Sequence, residues 1–222
     1  MGLSKNTYRG YIGITTTSGG VFGIDELDLP PPIVVSTSSA DNAASITLPS
    51  NILAGQTILI FAGSRQDIAT PSGYTLINSY QRSVAGDPSL ATFYKIANGT
   101  EGGTSLSVLA DNSVIGCAVI GRSISINVPG TAENNSGDKM TLSSITPWSN
   151  SLVFLFSVCD QISNDPSNTG GFTNVVIDGA NNAGSNAKEF YVWSKISDGT
   201  ATGDVSVTWG NSRISSVLFS II

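Results

Sequence analysis

The sequence predicts an all-β protein: an antiparallel, jelly-roll-like sandwich built from two similar halves and led by an extended N-terminal arm. Three observations predict it. Charged residues make up only 12% of the 222 residues, about half the share usual in a globular domain. Gly, Ser, Thr and Asn fill the difference, and together with many β-branched residues they favour pleated strands and tight turns over helices. Second, apolar runs of strand length recur roughly every 10–15 residues between turn signals. Third, the chain repeats itself. Lys95-Ile96-x-x-Gly99-Thr100 returns as Lys195-Ile196-x-x-Gly199-Thr200, each followed by a further glycine, Gly103 and Gly203. Gly73-Tyr74-Thr75 answers Gly171-Phe172-Thr173, the run Thr57 to Phe61 answers Leu152 to Phe156, and Val114 to Val119 answers Ile214 to Phe219. Four matches in the same order, with slowly drifting offsets, describe a duplication of about 45–126 onto about 140–222.

The arm comes first. Over residues 1–29, Tyr8, Tyr11, Ile14, Phe22, Ile24 and Leu27 are scattered among Gly and Thr without a helical or strand period. Pro30-Pro31-Pro32 then makes a stiff spacer, since proline fixes φ and donates no hydrogen bond to a sheet. An arm with so many large apolar side chains is expected to pack on its own body or on a neighbouring subunit. Within it, Asp25-Glu26-Leu27-Asp28 reads as a short helical turn.

The body, 33–222, follows as a series of short strands. They are expected at 33–38, 44–48, 57–63, 74–79, 90–96, 105–109, 113–126, 140–142, 151–159, 174–178, 189–196, 205–209 and 212–222. Turn residues separate them, among them Pro71-Ser72-Gly73, Asn98-Gly99, Asp178-Gly179 and Asp198-Gly199. Val205, Val207 and Trp209 alternate with Ser206 and Thr208, which gives one buried and one wet face. Thr57–Phe61 and Leu152–Phe156 are apolar without interruption and suit strands covered on both faces. The polar stretch 127–139 reads as the connection between the halves. Two arrangements fit: two tandem small sandwiches, or one larger sandwich in which the halves interleave. The long apolar last strand, placed inside a sheet shared by both halves, favours the second.

Composition narrows the function. A chain of this size buries about 70% of its unfolded surface and needs no metal or disulfide to stand. The net charge is −6, and the ten cations are spread singly, so no basic cluster exists to follow a phosphate backbone and no nucleic-acid partner is expected. No apolar stretch reaches the roughly 20 residues of a membrane helix, so no membrane insertion is expected. Residues 1–20 lack the apolar centre of a secretory signal. Cys117 and Cys159 lie in apolar runs and read as buried thiols, although two cysteines alone do not settle whether they are bonded.

The chain has no histidine. That excludes Ser-His-Asp and Cys-His catalysis and the zinc sites that use imidazole. Asp41, Asp87, Asp111, Asp138, Asp178 and Asp198 sit in turn contexts, where aspartate serves the backbone. The Gly-rich stretches 99–103 and 179–184 lack the Lys-Ser/Thr of a phosphate loop. Calcium at 160–165 or 178–182 has oxygen-rich residues but no spacing motif behind it. The expectation is a protein that is no enzyme and holds no cofactor and no metal. Trp193 and Trp209 read as core residues, and Trp148, after Pro147 at a strand entrance, as the exposed tryptophan and a candidate glycan contact. Loops 64–72, 81–89 and 160–171 are candidate contact tips by position.

Several of these residues also form a pattern. Ala54-Gly-Gln-Thr-Ile-Leu-Ile60, Pro71-Ser-Gly-Tyr-Thr-Leu76, Phe93-Tyr-Lys-Ile-Ala97 and Gly99-Thr-Glu101 resemble β-sandwich modules in structural proteins of tailed bacteriophages, with a weaker version in the second half. Gln56 and Tyr74 stand where an acidic residue and tryptophan are commoner. The start of the chain, Tyr8-Arg9-Gly10 and Gly20-Val-Phe-Gly-Ile-Asp-Glu-Leu27, resembles the leading segment by which virion appendage proteins anchor to the particle. The resemblance implies a virion structural protein assembled in the host cytoplasm, in a capsid-decoration, head-fibre or tail-fibre role. It implies virion proteins and sister copies as partners, with a homo-oligomer, a trimer by family analogy. Host surface glycan is the alternative partner. The matching positions are core and turn residues, so no catalytic residue carries over. The partner-binding residues expected are those of the arm: Tyr8, Tyr11, Ile14, Phe22, Ile24 and Leu27.

Overall fold

The computed structural model describes residues 30–41, 43–82, 87–108, 113–128, 132–135, 137–160, 166–181, 188–210 and 213–222. Two compact units divide the chain, Met1–Pro30 and Pro31–Ile222. The arm residues from Tyr8 to Leu27, and the helical turn expected at Asp25–Asp28, lie outside the described residues.

Among the described residues of the second unit all regular structure is β, as the composition predicts. The first half contributes β1 (Val34–Asp41), β2 (Ser45–Thr47), β3 (Thr57–Ser64), β4 (Thr75–Tyr80), β5 (Ser89–Ile96), β6 (Ser105–Ser107) and β7 (Val114–Ile120). The second contributes β8 (Ile126–Val128), β9 (Ala132–Asn135), β10 (Lys139–Leu142), β11 (Ser149–Cys159), β12 (Ser167–Asn168), β13 (Asn174–Asn181), β14 (Lys188–Asp198), β15 (Val205–Thr208) and β16 (Ile214–Ile221). A broad antiparallel sheet in the first half runs β1-β7-β3-β5-β4, and a broad sheet in the second runs β8-β16-β11-β14-β13, with β9 also pairing β16. Two small sheets, β2-β6 and β10-β15-β12, complete the set. The strand order of the broad sheet is therefore the same in both halves, and the duplication is topological as well as textual; the small sheet of the second half has an additional strand, β12.

Register makes the equivalence residue by residue. Ile58 pairs with Lys95 as Val153 pairs with Lys195, and Thr57 pairs with Ile120 as Leu152 pairs with Ile221. Each outer strand slips at the same place, between Leu76 and Asn78 in β4 and between Val175 and Ile177 in β13. The left-handed backbone positions also pair: Gly73 with Gly171, Gly99 with Gly199, Gly103 with Gly203, and Gly55 with Asn150. Asn150, at φ 60°, is the single non-glycine among them in the described residues, and asparagine is one of the few side chains that tolerates this region.

The expected interleaving does not occur. The terminal strand β16 lies between β11 and β8/β9, within its own half, so no sheet is shared. Each half instead forms a small sandwich of one broad and one small sheet, and the two broad sheets pack face to face. Three cores result. Leu59, Phe61, Leu90 and Ala118 meet Phe154, Phe156, Phe190 and Phe219 between the broad sheets. Ile58, Ile60, Phe93 and Val119 pack under β2-β6. Val153, Leu155, Trp193 and Leu218 pack under β10-β15-β12. This is why β3 is buried along its whole length: alternate residues serve different cores, and both faces are covered.

The halves meet with reciprocal contacts. Strand β1 touches β13 as β9 touches β4, and β7 touches β14 as β16 touches β5. Contacts of β7 with β13 and of β3 with β14 have no counterpart of the same size, so the interface is approximately isologous and twofold. Equivalent residues therefore face one another along β3 and β11. The Phe61 and Phe156 rings are 5.5 Å apart at 69°, an edge-to-face geometry that aromatic quadrupoles favour. Two residues on, a Cβ on Gly63 would lie 2.6 Å from Val158 Cγ2. That position accepts glycine alone unless Val158 moves.

Two expectations about elements change. The strand expected over 113–126 ends at Ile120 and resumes as β8 after a bend. The stretch 127–139, expected as a connection, supplies β8, β9 and the start of β10. Both halves consequently begin earlier than the sequence match indicates, at β1 and at β8. Cys117 and Cys159 are buried and not disulfide-bonded, and they belong to different outer cores.

Candidate functional site

Three places on the body concentrate polar or exposed side chains. The first is the duplicated turn after β5 and β14. In each copy an Asn or Asp side chain folds back on the chain. Asn98 Oδ1 accepts from the Thr100 N–H at 2.9 Å and its hydroxyl at 2.7 Å, and Asp198 Oδ1 accepts from Thr200 in the same way at 2.9 and 2.6 Å. Those bonds hold the Asp198 carboxyl below its usual range. Each turn sits beside a lysine over an aromatic face: Lys95 Nζ is 5.9 Å from the Tyr74 centroid and Lys195 Nζ 4.7 Å from that of Phe172.

The copies then diverge. In the first, Glu101 is buried; its carboxylate takes the Lys95 ammonium at 2.8 Å and the N–H groups of Asn98, Gly99 and Thr100 at 3.0–3.2 Å. Burial opposes its charge, but the Lys95 bond and the backbone N–H of Asn98 outweigh burial and bring its pKa from 4.5 down to about 2. Burial, with Cys117 and Glu101 nearby, pushes the Tyr74 phenol up, and burial pushes the Cys117 thiol up to about 12. In the second copy Ala201 replaces the acid, the Gly199 N–H goes to Ser197 Oγ at 3.0 Å, and Lys195 donates to the Gly170 carbonyl at 2.7 Å. Glu101, with Lys95, holds the first turn in place, and burial keeps the Cys117 thiol protonated near neutrality.

The second place is the end of the inter-half core where β3 and β11 finish. Arg65 donates to the Asp160 carbonyl at 2.9 Å, with the Asp160 carboxylate at 3.7 Å. The Asp160 carboxylate accepts from the Arg213 N–H at 2.8 Å, and the Arg213 guanidinium lies 3.2 Å from Asp87. Asp87 and Asp160 are both buried. Asp87, expected as a turn residue, also ties the halves together through Arg213. Asp160 is likewise engaged in this network, which speaks against a calcium site built on it, and 161–165 and 182 lie outside the described residues. Among the described residues no group of three or more metal-ligating side chains forms. Of the contact loops expected, 83–86 and 161–165 also lie outside the described residues.

The third place is the opposite end, where β3 and β11 begin. Trp148 is 57% exposed there, as the sequence predicts, while Trp193 and Trp209 are buried. The backbone N–H of Trp148 donates to Asn127 Oδ1 at 2.8 Å, so the residue is held at its base and open at its ring. Its equivalent in the first half is Leu53, also exposed. Arg122, in the bend after β7, stands at the same end, with its carbonyl accepting from Thr57 Oγ1 at 2.9 Å. The sequence gives no sign of Arg122, because an isolated arginine in a turn looks like any solvated cation. A scan of family models, a search of curated proteins and a search of solved structures each found no match to the chain.

Proposed function

We propose that this is a non-enzymatic structural protein of a tailed-phage virion. The arm attaches it to the particle, and the duplicated β body is presented as capsid decoration or as part of a fibre or appendage. The observation that carries the reading is the use made of buried charge. Glu101, Asp87 and Asp160 each hold the body itself together, which suits a scaffold rather than a catalyst. The resemblance of the arm and of the β3–β5 motifs to virion proteins supplies the location. Attachment comes from burial of Tyr8, Tyr11, Ile14, Phe22, Ile24 and Leu27 in a partner groove. Each large side chain contributes roughly 1.5–3 kcal/mol before the arm's ordering cost is subtracted. Phe22→Asp is expected to abolish incorporation into particles while the body keeps its melting temperature; normal incorporation sinks the reading.

One observation favours a second reading. Trp148 is exposed on a fixed backbone, the form of a stacking platform for a sugar ring. If the body recognises host glycan, Trp148→Ala removes glycan-array binding without altering stability.

A further inference from the structure

Six large apolar side chains stand exposed at one end of the body, where β3 and β11 begin: Ile33, Val35, Leu53, Ile96, Trp148 and Ile196. Four of them are equivalents in the duplication, Leu53 with Trp148 and Ile96 with Ile196. Other exposed positions have diverged, as Thr75 and Asn174 show. Buried positions stay apolar in both copies because the cores need them. A third exposed apolar pair, Leu76 with Val175, stands apart on the outer strands; what marks the end as an interaction surface is that six such side chains are grouped there.

A charge at the same end specifies the chemistry of the partner. Arg122 follows Gly121, whose Cα packs so closely on Val35 and Ile33 that a Cβ would lie 3.1 and 3.6 Å from their side chains. The Nε and Nη2 of Arg122 are buried and have no hydrogen-bond partner among the described residues. Burial lowers the pKa of this guanidinium, so its charge is held at a cost. Charged donors left unpaired and out of water are unfavourable, and a carboxylate brought to this end relieves them once the guanidinium turns outward to meet it. The surface therefore fits an occupant that carries large apolar side chains and carboxylates together. The chain itself contains one: Val21-Phe22-Gly23-Ile24-Asp25-Glu26-Leu27-Asp28-Leu29.

We propose that the end of the body bearing Trp148 and Arg122 receives residues 21–29 of a second copy of this chain. The apolar side chains of that segment cover Leu53, Ile96, Trp148 and Ile196, and one of its carboxylates pairs with Arg122. The inference rests on the reading of the arm as an attachment segment and names a sister subunit as its receptor. An exchange of this kind joins two different surfaces, so two copies swap segments as a closed pair, or successive copies close into a ring or run on as a filament, and the measured mass tells which.

The test is the light-scattering mass of the full chain across a concentration series. The wild type is expected at a multiple of its 22.9 kDa. Arg122→Glu and, separately, Trp148→Asp should weaken association by roughly 30-fold or more with circular dichroism unchanged. Leu76→Asp, an exposed apolar position on β4 away from this end, should leave association as it is. Combining Arg122→Glu with Asp25→Lys, Glu26→Lys and Asp28→Lys in one chain should restore it. A wild type that is monomeric throughout overturns the inference, as does loss by Arg122→Glu that charge reversal in the arm fails to restore. Particle incorporation separates the two readings. A monomeric chain whose Phe22→Asp variant still fails to incorporate sinks the sister-subunit receptor and leaves attachment standing. A self-associating chain whose Phe22→Asp variant incorporates normally does the reverse.

Discussion

The two copies of one turn solve the same problem with different chemistry. After β5 a buried carboxylate collects three backbone N–H groups and a lysine; after β14 a serine hydroxyl, an alanine and a carbonyl suffice. The backbone is the same in both, down to the left-handed glycines Gly99 and Gly199. The conformation is thus set by what the copies share, an Asx side chain two residues before a threonine with glycine between. The Glu101–Lys95 pair is an addition to a turn that stands without it. The energetic consequence is local: each copy carries its own dependence on pH, the first through the buried Glu101 and the second through the exposed Asp198.

The largest expected effect tests what joins the copies. Phe61→Ala and Phe156→Ala each open a cavity on the pseudo-twofold axis and should each cost about 3–5 kcal/mol in chemical denaturation. Because the two rings touch, the double variant should fall short of the sum of the singles. Full additivity would mean that the halves do not share this core.

Next comes the charged turn. A carboxyl lowered from 4.5 to about 2 contributes its stability above pH 4.5, the unfolded value, and loses it as pH falls through 2. Glu101→Gln should therefore cost about 2–3 kcal/mol at neutral pH and flatten the acid limb of the stability curve between those values. Ala201→Glu, at the equivalent position, should gain less, since Lys195 is already committed to Gly170. An unchanged acid limb in Glu101→Gln would remove the distinction between the copies.

The smallest effect concerns Asn150, the asparagine at the position of Gly55. Asn150→Gly should stabilise by no more than about 1 kcal/mol by relieving the left-handed backbone, and Gly55→Asn should cost a similar amount. Thermal melts of both variants check it.

Much of this fold was legible because the duplication and the turn residues are local in sequence. Lys95-Ile96 and Lys195-Ile196 mark equivalent strand ends, and the uninterrupted runs at Thr57 and Leu152 announce strands covered on both faces. What they cannot announce is which surface covers them, and the terminal strand was accordingly expected in a shared sheet. Strands β8 and β9 escaped notice because an edge strand is held by backbone hydrogen bonds and needs no apolar pattern. The ion pairs escaped for another reason: Arg65 and Asp160 are 95 residues apart and Arg213 and Asp87 are 126 apart, and nothing in either local context marks its partner. Trp148 was legible from Pro147 before it; Arg122 became visible only once its nitrogens were seen buried.

The reciprocal contact between the halves has a consequence for dilution. Two separate subunits meeting face to face obey mass action and part as their concentration falls. Here one polypeptide carries both faces, so each meets the other at a local concentration fixed by the length of the connecting chain. The pair persists however few molecules are present. The tether also releases the two faces from having to stay identical, which is how Gly63 on one side came to face Val158 on the other.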